Sequence, residues 1–413
     1  MTMNSRIKNG LGWFTAAILY FGIYGVNLQV PGETYYDEVY FVKTAREIIH
    51  LSGYTETSHP PFGKLLIALN ILIFGDYSWV WRLSSLVSGF GCLLLLYMIT
   101  KLLTKNSRVA FFAAFLFSLD GVSFTQARIA MFNAPMLFLM LLSVWCLVQH
   151  TVTHDWTRRK AFFWSGICFG FSIGTRLVGL SIGAVLLMFY GVLWAENGKK
   201  RLLIEDAVYF LILTPLIVYE STYWVIPFIH GFDWSTVWKL QRGMITYHLH
   251  LTKGHTYSSE WWTWPLMIRP IWYHYHPSVS NGVKMVQGVL CIGNPLIFWL
   301  IPVAMVFAIV RLVKSRSLAA GFIVTGFFTQ WFQWAPVSRV KFFHYIYTVM
   351  PFVAMALALI LDKLWQSGQA GKGAVVVYLV LIVAMFIYWF PLLNGMPISE
   401  VYFRQHMWFR SWI

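Results

Sequence analysis

Charge is scarce in this sequence. Charged residues make up 11% of its 413 positions and only 16 residues are acidic, whereas 58% of the residues are hydrophobic. A soluble domain does not need that much apolar surface, and apolar runs of about 18 to 20 residues, long enough to cross a bilayer core, recur along the chain. The composition excludes an ordinary soluble protein and predicts an all-α protein that crosses a membrane several times.

Cysteine is also rare, and internal repeats, low-complexity tracts and soluble-domain segments are lacking. The four cysteines show no CxxC spacing, so the sequence indicates neither a zinc site nor a disulfide framework. We interpret residues 1–413 as a single membrane domain. The N-terminal apolar run is not interpreted as a cleavable signal peptide, because similar runs follow it throughout the chain.

Basic residues outnumber acidic ones, which gives a formal net charge of +15. They cluster in short loops between apolar runs, which is typical of membrane topology signals and not of nucleic-acid binding. We expect about eleven membrane spans. They lie near residues 11–29, 82–100, 109–125, 133–151, 162–176, 178–195, 206–226, 294–312, 319–336, 344–361 and 374–391.

The basic clusters share one side of the membrane if the N-terminus is cytoplasmic, and an odd number of spans then places the C-terminus outside. The long polar segments lie on the external, periplasmic face of the inner (cell) membrane. They are the first external loop 30–81, the large external loop 227–290 and the C-terminal tail 392–413. Residues 65–74 are apolar but too short to span, which predicts an interfacial helix in the first loop.

Two adjacent carboxylates, Asp37 and Glu38, lie early in the first external loop, directly after Tyr36. Acidic residues at a membrane are costly to desolvate and are functional candidates by default. One of them could act as a general base that takes a proton from an acceptor hydroxyl. The alternative is that the pair only begins an amphipathic helix, and the local sequence leaves the two interpretations equally open.

A second motif, His-Pro-Pro-Phe-Gly-Lys at 59–64, follows in the same loop. Its prolines fix the backbone, its glycine permits close approach, and Lys64 offers a point charge to a phosphate. The alternative is a rigid loop with a snorkelling lysine. Behind an Asp-Glu pair, the motif favours an enzyme that works on an anionic lipid at the bilayer edge.

Basic residues at the predicted outer ends of spans are candidates for holding a phosphate. Arg128 could instead form an ion pair with Asp120, and the Arg176 side chain could instead snorkel to the membrane interface. Arg339 and Lys341 break the positive-inside pattern, which an anionic ligand on the outer face would explain. These candidates, with the neighbouring histidine, are Arg128, Arg176, Arg339, Lys341 and His344.

The large external loop 227–290 is rich in Trp, His and Tyr. Such aromatic density suits a sugar or peptide groove and equally suits an interfacial belt. Candidate residues for an acceptor or sugar groove, here and in the other external segments, are Tyr36, Asp120, His248, His255 and Trp262. The histidines show no carboxylate-supported ligand spacing, so no metal site is predicted.

Together, these motifs resemble the protein O-mannosyltransferase family, which are membrane glycosyltransferases that use polyprenyl-phosphate sugars. The resemblance covers nearly the whole chain, and the motifs occur in family order. They are Asp37-Glu38, the segment 59–64, Leu119-Asp120-Gly121, Gln126-Ala127-Arg128-Ile129, the segment from Gly170 to Leu180, Tyr247-His248, the segment 255–259, Trp264-Pro265-Leu266, Gly293-Asn294-Pro295 and Phe343-His344-Tyr345.

The chain departs from the family pattern in several places. It has Asn133 where the family usually has Asp, and Arg176-Leu177 where the family has a Lys-Trp pair. The large external loop lacks the MIR domain that is inserted in eukaryotic members, so the chain resembles prokaryotic ones. The segment 261–264 reads Trp-Trp-Thr-Trp in place of the Trp-Trp-Asp motif of oligosaccharyltransferases, which argues against en-bloc oligosaccharide transfer.

The resemblance implies a GT-C-type fold and inverting transfer of a sugar, with mannose expected, from a polyprenyl-phosphate donor to Ser or Thr of a secreted or membrane polypeptide. Asp37 would be the base, and Glu38 would orient Asp37 or bind the acceptor. No cofactor is implied, although a divalent metal stays open, and family members often pair as dimers. The residues that would hold the donor are His59, Lys64, Arg128, Arg176, Arg339, Lys341 and His344.

Two other functions stay open at the level of the sequence. The first is a polyprenyl-phosphate-sugar transferase that acts on a lipid or a cell-wall glycan, because acceptor recognition would lie in 227–290, where no code can be read. The second is a lipid flippase or transporter. Transporters usually show paired halves with discontinuous helices near the bilayer midplane, whereas this chain places its unusual charges on one external face.

Overall fold

A computed structural model describes residues 3–196, 200–231, 233–251 and 254–413 of the chain. Helices dominate because an apolar run in a membrane satisfies its backbone hydrogen bonds only as helix or closed barrel. The α-helices up to residue 196 are Met3–Tyr24, Glu38–Ile49, Phe62–Phe74, Ser78–Trp81, Leu83–Thr104, Ser107–Ser118, Gly121–Gln126, Asn133–Thr151, Arg158–Thr175 and Gly183–Glu196, and a 3-10 turn lies at Leu177–Ile182.

The second half contains more interruptions. Its α-helices are Lys200–Ala207, Thr214–Ser221, Val225–Ile229, Trp234–His250, Pro295–Phe298, Ile301–Ser315, Leu318–Phe332, Met350–Trp365, Gln369–Leu393 and Glu400–His406. A π-helical segment, Val208–Leu213, joins the first two of these. Four 3-10 turns lie at Thr222–Trp224, Trp261–Leu266, Phe343–Val349 and Arg410–Trp412.

Each of the eleven predicted spans overlaps a helix. Among the described residues, seven helical segments are long and apolar enough to cross a membrane, and four shorter apolar helices accompany them. The predicted fold class is therefore confirmed, while the count of eleven spans stays a prediction. The seven segments are Leu83–Thr104, Asn133–Thr151, Leu177–Ala195, Ile204–Ile229, Pro295–Ser315, Phe343–Trp365 and Gln369–Leu393.

The segment 30–81, predicted as the first external loop, contains the helices Glu38–Ile49 and Phe62–Phe74 and the short helix Ser78–Trp81. The helix predicted at 65–74 is found about one turn longer, as Phe62–Phe74, and its location at the membrane interface stays a prediction. The helix Glu38–Ile49 packs against it, and Phe41, Val42 and Ile48 are among the buried residues of that helix. The two helices bring the Asp-Glu pair and the segment 59–64 to the same place, although about twenty residues separate them in the chain.

The segment 227–290 has more structure than the term loop suggests, although positions 232 and 252–253 lie outside the described residues. The helix Trp234–His250 fills its first part, and a hairpin of two antiparallel strands, Ile271–Ser280 (β1) and Val283–Cys291 (β2), fills its end. Asn281 and Gly282 connect the strands with φ of 50° and 77°, the left-handed conformations that a tight hairpin turn requires. The sheet was not predicted and is an addition to the expected fold.

The C-terminal tail packs with this hairpin. Its strand Pro397–Ser399 (β3) pairs with β2 and completes a three-stranded sheet in the order β1-β2-β3. Trp412 donates from its indole nitrogen to the carbonyl of Met267 at 2.7 Å, and its own carbonyl accepts from Trp272 at 2.8 Å. The tail therefore holds the hairpin through strand pairing and through the contacts of Trp412.

Candidate active site

Glu38 is fully buried and tightly paired. Arg82 donates to its two carboxylate oxygens at 2.9 and 3.0 Å, and the backbone N–H of Ala130 donates to Oε1 at 2.7 Å. Arg82 also donates to the carbonyl of Leu28 at 2.7 Å. Glu38 therefore connects three segments of the chain, and its oxygens are engaged with protein groups and not presented to a substrate.

Asp37 differs sharply from its neighbour. Its carboxylate is only partly exposed, yet among the described residues no group donates a hydrogen bond to it. Burial raises its pKa to about 6, although the charges of Arg176 and Arg339 act in the opposite direction and Glu56 reinforces the rise. A carboxylate with free lone pairs and a pKa near neutrality suits a general base.

The backbone before Asp37 has an uncommon conformation. Tyr36 has φ of 53°, in the left-handed region that non-glycine residues rarely adopt and that is enriched at functional sites. Its ring packs against Tyr273 at 4.8 Å and edge-on to His344 at 6.0 Å between centroids. The aromatic contacts hold the strained turn that carries Asp37, whose carboxylate lies within reach of the charges of Arg176 and Arg339.

The segment 59–64 is held by a buried ion pair. Lys64 Nζ donates to Glu56 Oε2 at 2.5 Å and to the carbonyls of Glu56 and His59 at 2.8 and 2.7 Å. These bonds use all three donors of the ammonium group, so Lys64 has none left for a phosphate. Lys64 was a predicted donor-binding residue, and the structure gives it a role in holding this loop.

His59 belongs to the same network. Its Nδ1 lies 3.1 Å from Glu56 Oε1 and 2.9 Å from Ser58 Oγ. Burial lowers the pKa of His59 to about 4, although Glu56 opposes this. Burial also acts against ionisation of Glu56, but Lys64 and His59 hold its pKa well below the usual range. Sequence reasoning missed Glu56, and its place three residues before the histidine was the only local signal.

Two arginines face the Asp37 side of the site without acidic partners in the described part of the chain. Arg176 donates to Asn133 Oδ1, and its guanidinium lies 5.2 Å from the ring centroid of Tyr345. Arg339 donates to the Tyr345 hydroxyl at 2.7 Å. Asn133 and Tyr345 are neutral partners, so neither guanidinium is in an ion pair within the described residues, and the Asp37 carboxylate is the acidic group on which both act. Such a surplus of positive charge suits the binding of an anion.

His248 connects the external helix to both parts of the site. Its Nε2 donates to the carbonyl of Ser58 at 2.7 Å, so its Nδ1 is the acceptor that meets Arg339. Burial lowers the pKa of His248 to about 3, and the positive charge of Arg339 acts in the same direction. A neutral His248 therefore positions Arg339. The predicted groove residues His255 and Trp262 are exposed at the protein surface.

The remaining predicted residues lie in other environments. Lys341 forms an ion pair with Glu260 at 3.0 Å. Arg128 is buried and donates to the carbonyl of Tyr24. Asp120 accepts from the backbone and hydroxyl of Ser123 at 2.9 and 3.0 Å and from Asn294 N at 3.1 Å. The alternative of an Asp120–Arg128 ion pair is not found, and both residues serve the packing of helix ends.

Metal binding has no visible support in the described residues. Nowhere among them do three His, Cys, Asp or Glu side chains gather as ligands for one ion. The expectation that no cofactor is needed, with a divalent metal left open, stays a prediction.

Comparison with known proteins agrees with the motifs. Residues 73–234 match the family described as dolichyl-phosphate-mannose-protein mannosyltransferase, and residues 233–412 match the C-terminal four-transmembrane region of protein-O-mannosyltransferase. The polyprenol-phosphate-mannose–protein mannosyltransferase of Mycolicibacterium smegmatis is 25% identical over 94% of this chain and 90% of its own length. The Mycobacterium tuberculosis relative of the same name is 26% identical over 94% and 88%.

Solved structures show the same fold. The S. cerevisiae Pmt1-Pmt2 complex bound to the sugar donor matches 98% of this chain and 93% of the compared chain, with a TM-score of 0.84 at 14% identity. ArnT from Cupriavidus metallidurans bound to undecaprenyl phosphate matches 90% and 64%, with a TM-score of 0.66 at 15% identity. The family predicted from the motifs is confirmed: this chain belongs to the protein O-mannosyltransferases.

Proposed function

We propose that this chain transfers mannose from a polyprenyl-phosphate donor to a Ser or Thr hydroxyl of a protein. The names of its mycobacterial relatives and the donor-bound yeast complex support the donor and the acceptor class. The observation that carries the proposal is the arrangement of charge: the Asp37 carboxylate, free of hydrogen-bond donors among the described residues, faces Arg176 and Arg339, which lack acidic partners there.

The arrangement supports an inverting displacement. Asp37 takes the proton of the acceptor hydroxyl while the hydroxyl oxygen attacks the anomeric carbon. The bond between that carbon and the phosphate oxygen breaks, and the bonding electrons leave with the polyprenyl phosphate. Arg176 and Arg339 hold the phosphate and stabilise its developing charge. The transition state has oxocarbenium character, and attack opposite the phosphate inverts the configuration.

Of the two roles that the resemblance implied for Glu38, the contacts favour orienting Asp37 over binding the acceptor. Its carboxylate is occupied by Arg82 and Ala130, so it orients Asp37 only by fixing the start of the helix Glu38–Ile49. Lys64 and His59 act in a similar way on the segment 59–64. Proton transfer is thus assigned to Asp37, and binding of the leaving phosphate is assigned to Arg176 and Arg339.

The proposed topology places this site outside the cytoplasm. Basic residues such as Lys101, Arg159 and Lys314 lie at helix ends away from the site, as expected for cytoplasmic loops. The N-terminus is then cytoplasmic, and the hairpin and C-terminal tail face the periplasm. Pairing with a second chain is a further expectation from the resemblance, and the yeast structure is itself a complex of two chains.

A transfer assay tests the proposed function. Purified protein in liposomes is mixed with polyprenyl-phosphate-[³H]mannose and a Ser/Thr-rich peptide, with and without EDTA. We expect label on the peptide, in equal amounts in both conditions, and an unchanged rate for Asp155→Asn, which alters an exposed aspartate in the loop before Arg158–Thr175. Donor binding with label on lipid or glycan but none on peptide would contradict the protein acceptor. Movement of intact donor across the bilayer without transfer would favour a flippase.

A further inference from the structure

A chain of buried neutral side chains begins at Arg176. Arg176 Nη1 donates to Asn133 Oδ1, and Asn133 Nδ2 donates to Gln126 Oε1 at 2.8 Å. Gln126 Nε2 in turn donates to the Tyr273 hydroxyl. Asn133, Gln126 and Tyr273 are 4%, 0% and 4% exposed, and we call these three residues the neutral chain.

The neutral chain connects the ends of separate structural elements. Gln126 is the last residue of one helix, Asn133 is the first residue of the next helix, and Arg176 directly follows a third. Tyr273 lies in the strand β1 of the external hairpin. Three consecutive hydrogen bonds therefore join the arginine assigned to the phosphate to a strand that lies almost one hundred residues later in the sequence.

The arginine fixes the direction of every hydrogen bond in the neutral chain. A guanidinium group only donates, so the Asn133 oxygen must face Arg176 and the Asn133 NH2 group must face Gln126. For the same reason the Gln126 oxygen faces Asn133, and its NH2 group is left for Tyr273. Each amide thus has one orientation, and it holds one side of a guanidinium that forms no ion pair within the described residues.

Neutral partners suit a cation that must bind a transient anion. A carboxylate in place of either amide would pair with Arg176 and take up its positive charge. An apolar residue there would leave a buried donor without a partner, and the long arginine side chain would be free to adopt other rotamers. Connected amides avoid both results, and hydrogen bonds in such a chain strengthen one another in a low-dielectric interior.

The far end of the neutral chain lies beside the turn that carries the base. The Tyr273 ring is centred 4.8 Å from the ring of Tyr36, the residue before Asp37. One set of hydrogen bonds therefore connects the cation assigned to the leaving phosphate with the turn that holds the proton acceptor. A fixed spacing between these groups favours the displacement, because small misplacements of catalytic groups are costly in rate.

We propose that Asn133 and Gln126 are positioning residues, which act through Arg176 by holding its guanidinium toward the leaving phosphate without neutralising it. The inference rests on the proposed function and adds to it the residues that orient the phosphate-binding cation. The alternative is that the neutral chain only satisfies buried polar groups where several elements meet. The two differ in whether the effect of a change at Gln126 depends on the charge at position 176.

A double-mutant cycle between Gln126 and Arg176 tests the proposal. Gln126→Met keeps the length of the side chain, breaks the neutral chain in its middle and leaves Arg176 itself unchanged. Binding of polyprenyl phosphate without a sugar is measured in liposomes for wild type, Gln126→Met, Arg176→Gln and the double variant. Mannosyl transfer to peptide is measured for the same four proteins.

The cycle has a defined expected result. Gln126→Met should weaken binding of polyprenyl phosphate about 10-fold and lower kcat/KM for transfer by about 10- to 100-fold, because the phosphate-binding cation loses its anchor. In the Arg176→Gln background, the same change should alter phosphate binding by less than about twofold, because the cation that Gln126 positions is already gone.

Two further variants separate the proposal from a general packing effect. Gln149→Met removes another buried glutamine amide, near the far end of the helix that Asn133 begins, and should match wild type in binding and transfer. Tyr273→Phe removes only the hydroxyl at the end of the neutral chain. It should weaken phosphate binding in the wild-type background and not in Arg176→Gln, which tests the proposal even if Gln126→Met does not fold.

The outcomes are distinct. A loss of phosphate binding that disappears in the Arg176→Gln background would support the positioning role. Unchanged phosphate binding in folded Gln126→Met, or an equal loss with and without the Arg176 charge, would overturn it. Absence of mannosyl transfer in wild type would refute the proposed function, whereas the binding cycle, which requires no transfer, would still decide the role of the neutral chain.

Discussion

The charged residues around the site fall into two groups that differ in pairing. In the first, which we call the paired wall, Glu38 is held by Arg82 and Glu56 by Lys64, at distances of 2.5 to 3.0 Å. In the second, the open face, Asp37, Arg176 and Arg339 form no ion pair within the described residues, although Arg176 is almost completely buried. The two groups lie side by side. Asp37 belongs to the open face, whereas the next residue, Glu38, belongs to the paired wall.

The difference shows which charges the fold uses for itself. A buried ion requires a partner, and removing one member of a buried pair is strongly destabilising. Charges without partners are tolerated where a ligand supplies the compensation, and they mark functional sites in membrane proteins. The paired wall therefore holds the first external loop in place, while the open face is available to a proton and a phosphate.

The largest expected effect separates the two adjacent carboxylates. Asp37→Asn should lower mannosyl transfer by about 10²- to 10⁴-fold, the contribution of a general base, without lowering the unfolding temperature, because no protein hydrogen bond is lost in the described structure. Glu38→Gln should lower the unfolding temperature, because it weakens the contact with Arg82. Turnover and thermal unfolding of both variants in detergent check this. If Asp37→Asn lowered the unfolding temperature and Glu38→Gln did not, the contrast between the open face and the paired wall would be wrong.

The arginines of the open face come next. Arg176→Gln and Arg339→Gln should each lower turnover by about 10²- to 10³-fold, because each removes a cation from the leaving phosphate. Neither change leaves a protein carboxylate unpaired among the described residues, so folding should be retained. Steady-state kinetics measure the loss of turnover, and thermal unfolding checks that both variants still fold. Normal turnover in both variants would show that Arg176 and Arg339 take no part in the reaction.

Substitutions in the paired wall should lower the stability of the folded protein. Lys64→Met leaves the Glu56 carboxylate buried without its partner and should destabilise the protein by about 3–5 kcal/mol, as for other broken buried pairs. Lys43→Met is the matched control, because Lys43 is exposed and its 3.8 Å contact with Glu47 is a surface pair of small expected effect. Thermal unfolding of the two variants measures the contrast, and similar stability would show that the Glu56–Lys64 pair does not hold the loop.

The pH dependence has the smallest expected effect. Burial raises the pKa of Asp37 to about 6, Arg176 and Arg339 oppose the rise, and Glu56 adds to it. Because the base must be deprotonated, kcat/KM should rise about tenfold per pH unit below about 6 and level off above it. Arg339→Gln removes a cation that favours the carboxylate, so its profile should move to higher pH. A profile that is flat between pH 5 and 7 would contradict this assignment.

Much of the fold could be predicted because membrane helices follow from local composition. Every predicted span overlaps a helix, and the short helix predicted at 65–74 was found as Phe62–Phe74. The hairpin was missed although its signal was present. Asn281-Gly282 lies between two segments rich in Val, Tyr and Trp, which is a strong hairpin pattern. The expectation that 227–290 is a loop concealed it.

The pairing of charges could not be predicted from the sequence. Arg82 lies 44 residues after Glu38, and no local rule indicates which cation meets which carboxylate at that separation. Motif resemblance named Glu38, Lys64 and Arg176 together as functional residues. Only the three-dimensional arrangement shows that the first two have partners within the fold and that the third has no acidic one in the described chain.

The most direct test of the account separates donor binding from chemistry in Asp37→Asn. Equilibrium binding of polyprenyl-phosphate-mannose and single-turnover transfer to peptide are measured for wild type, Asp37→Asn and Arg339→Gln in the same liposomes. We predict that Asp37→Asn binds the donor like wild type and loses single-turnover transfer, whereas Arg339→Gln loses both. Wild-type single-turnover transfer in Asp37→Asn, at any level of donor binding, would contradict the assignment of Asp37 as the base.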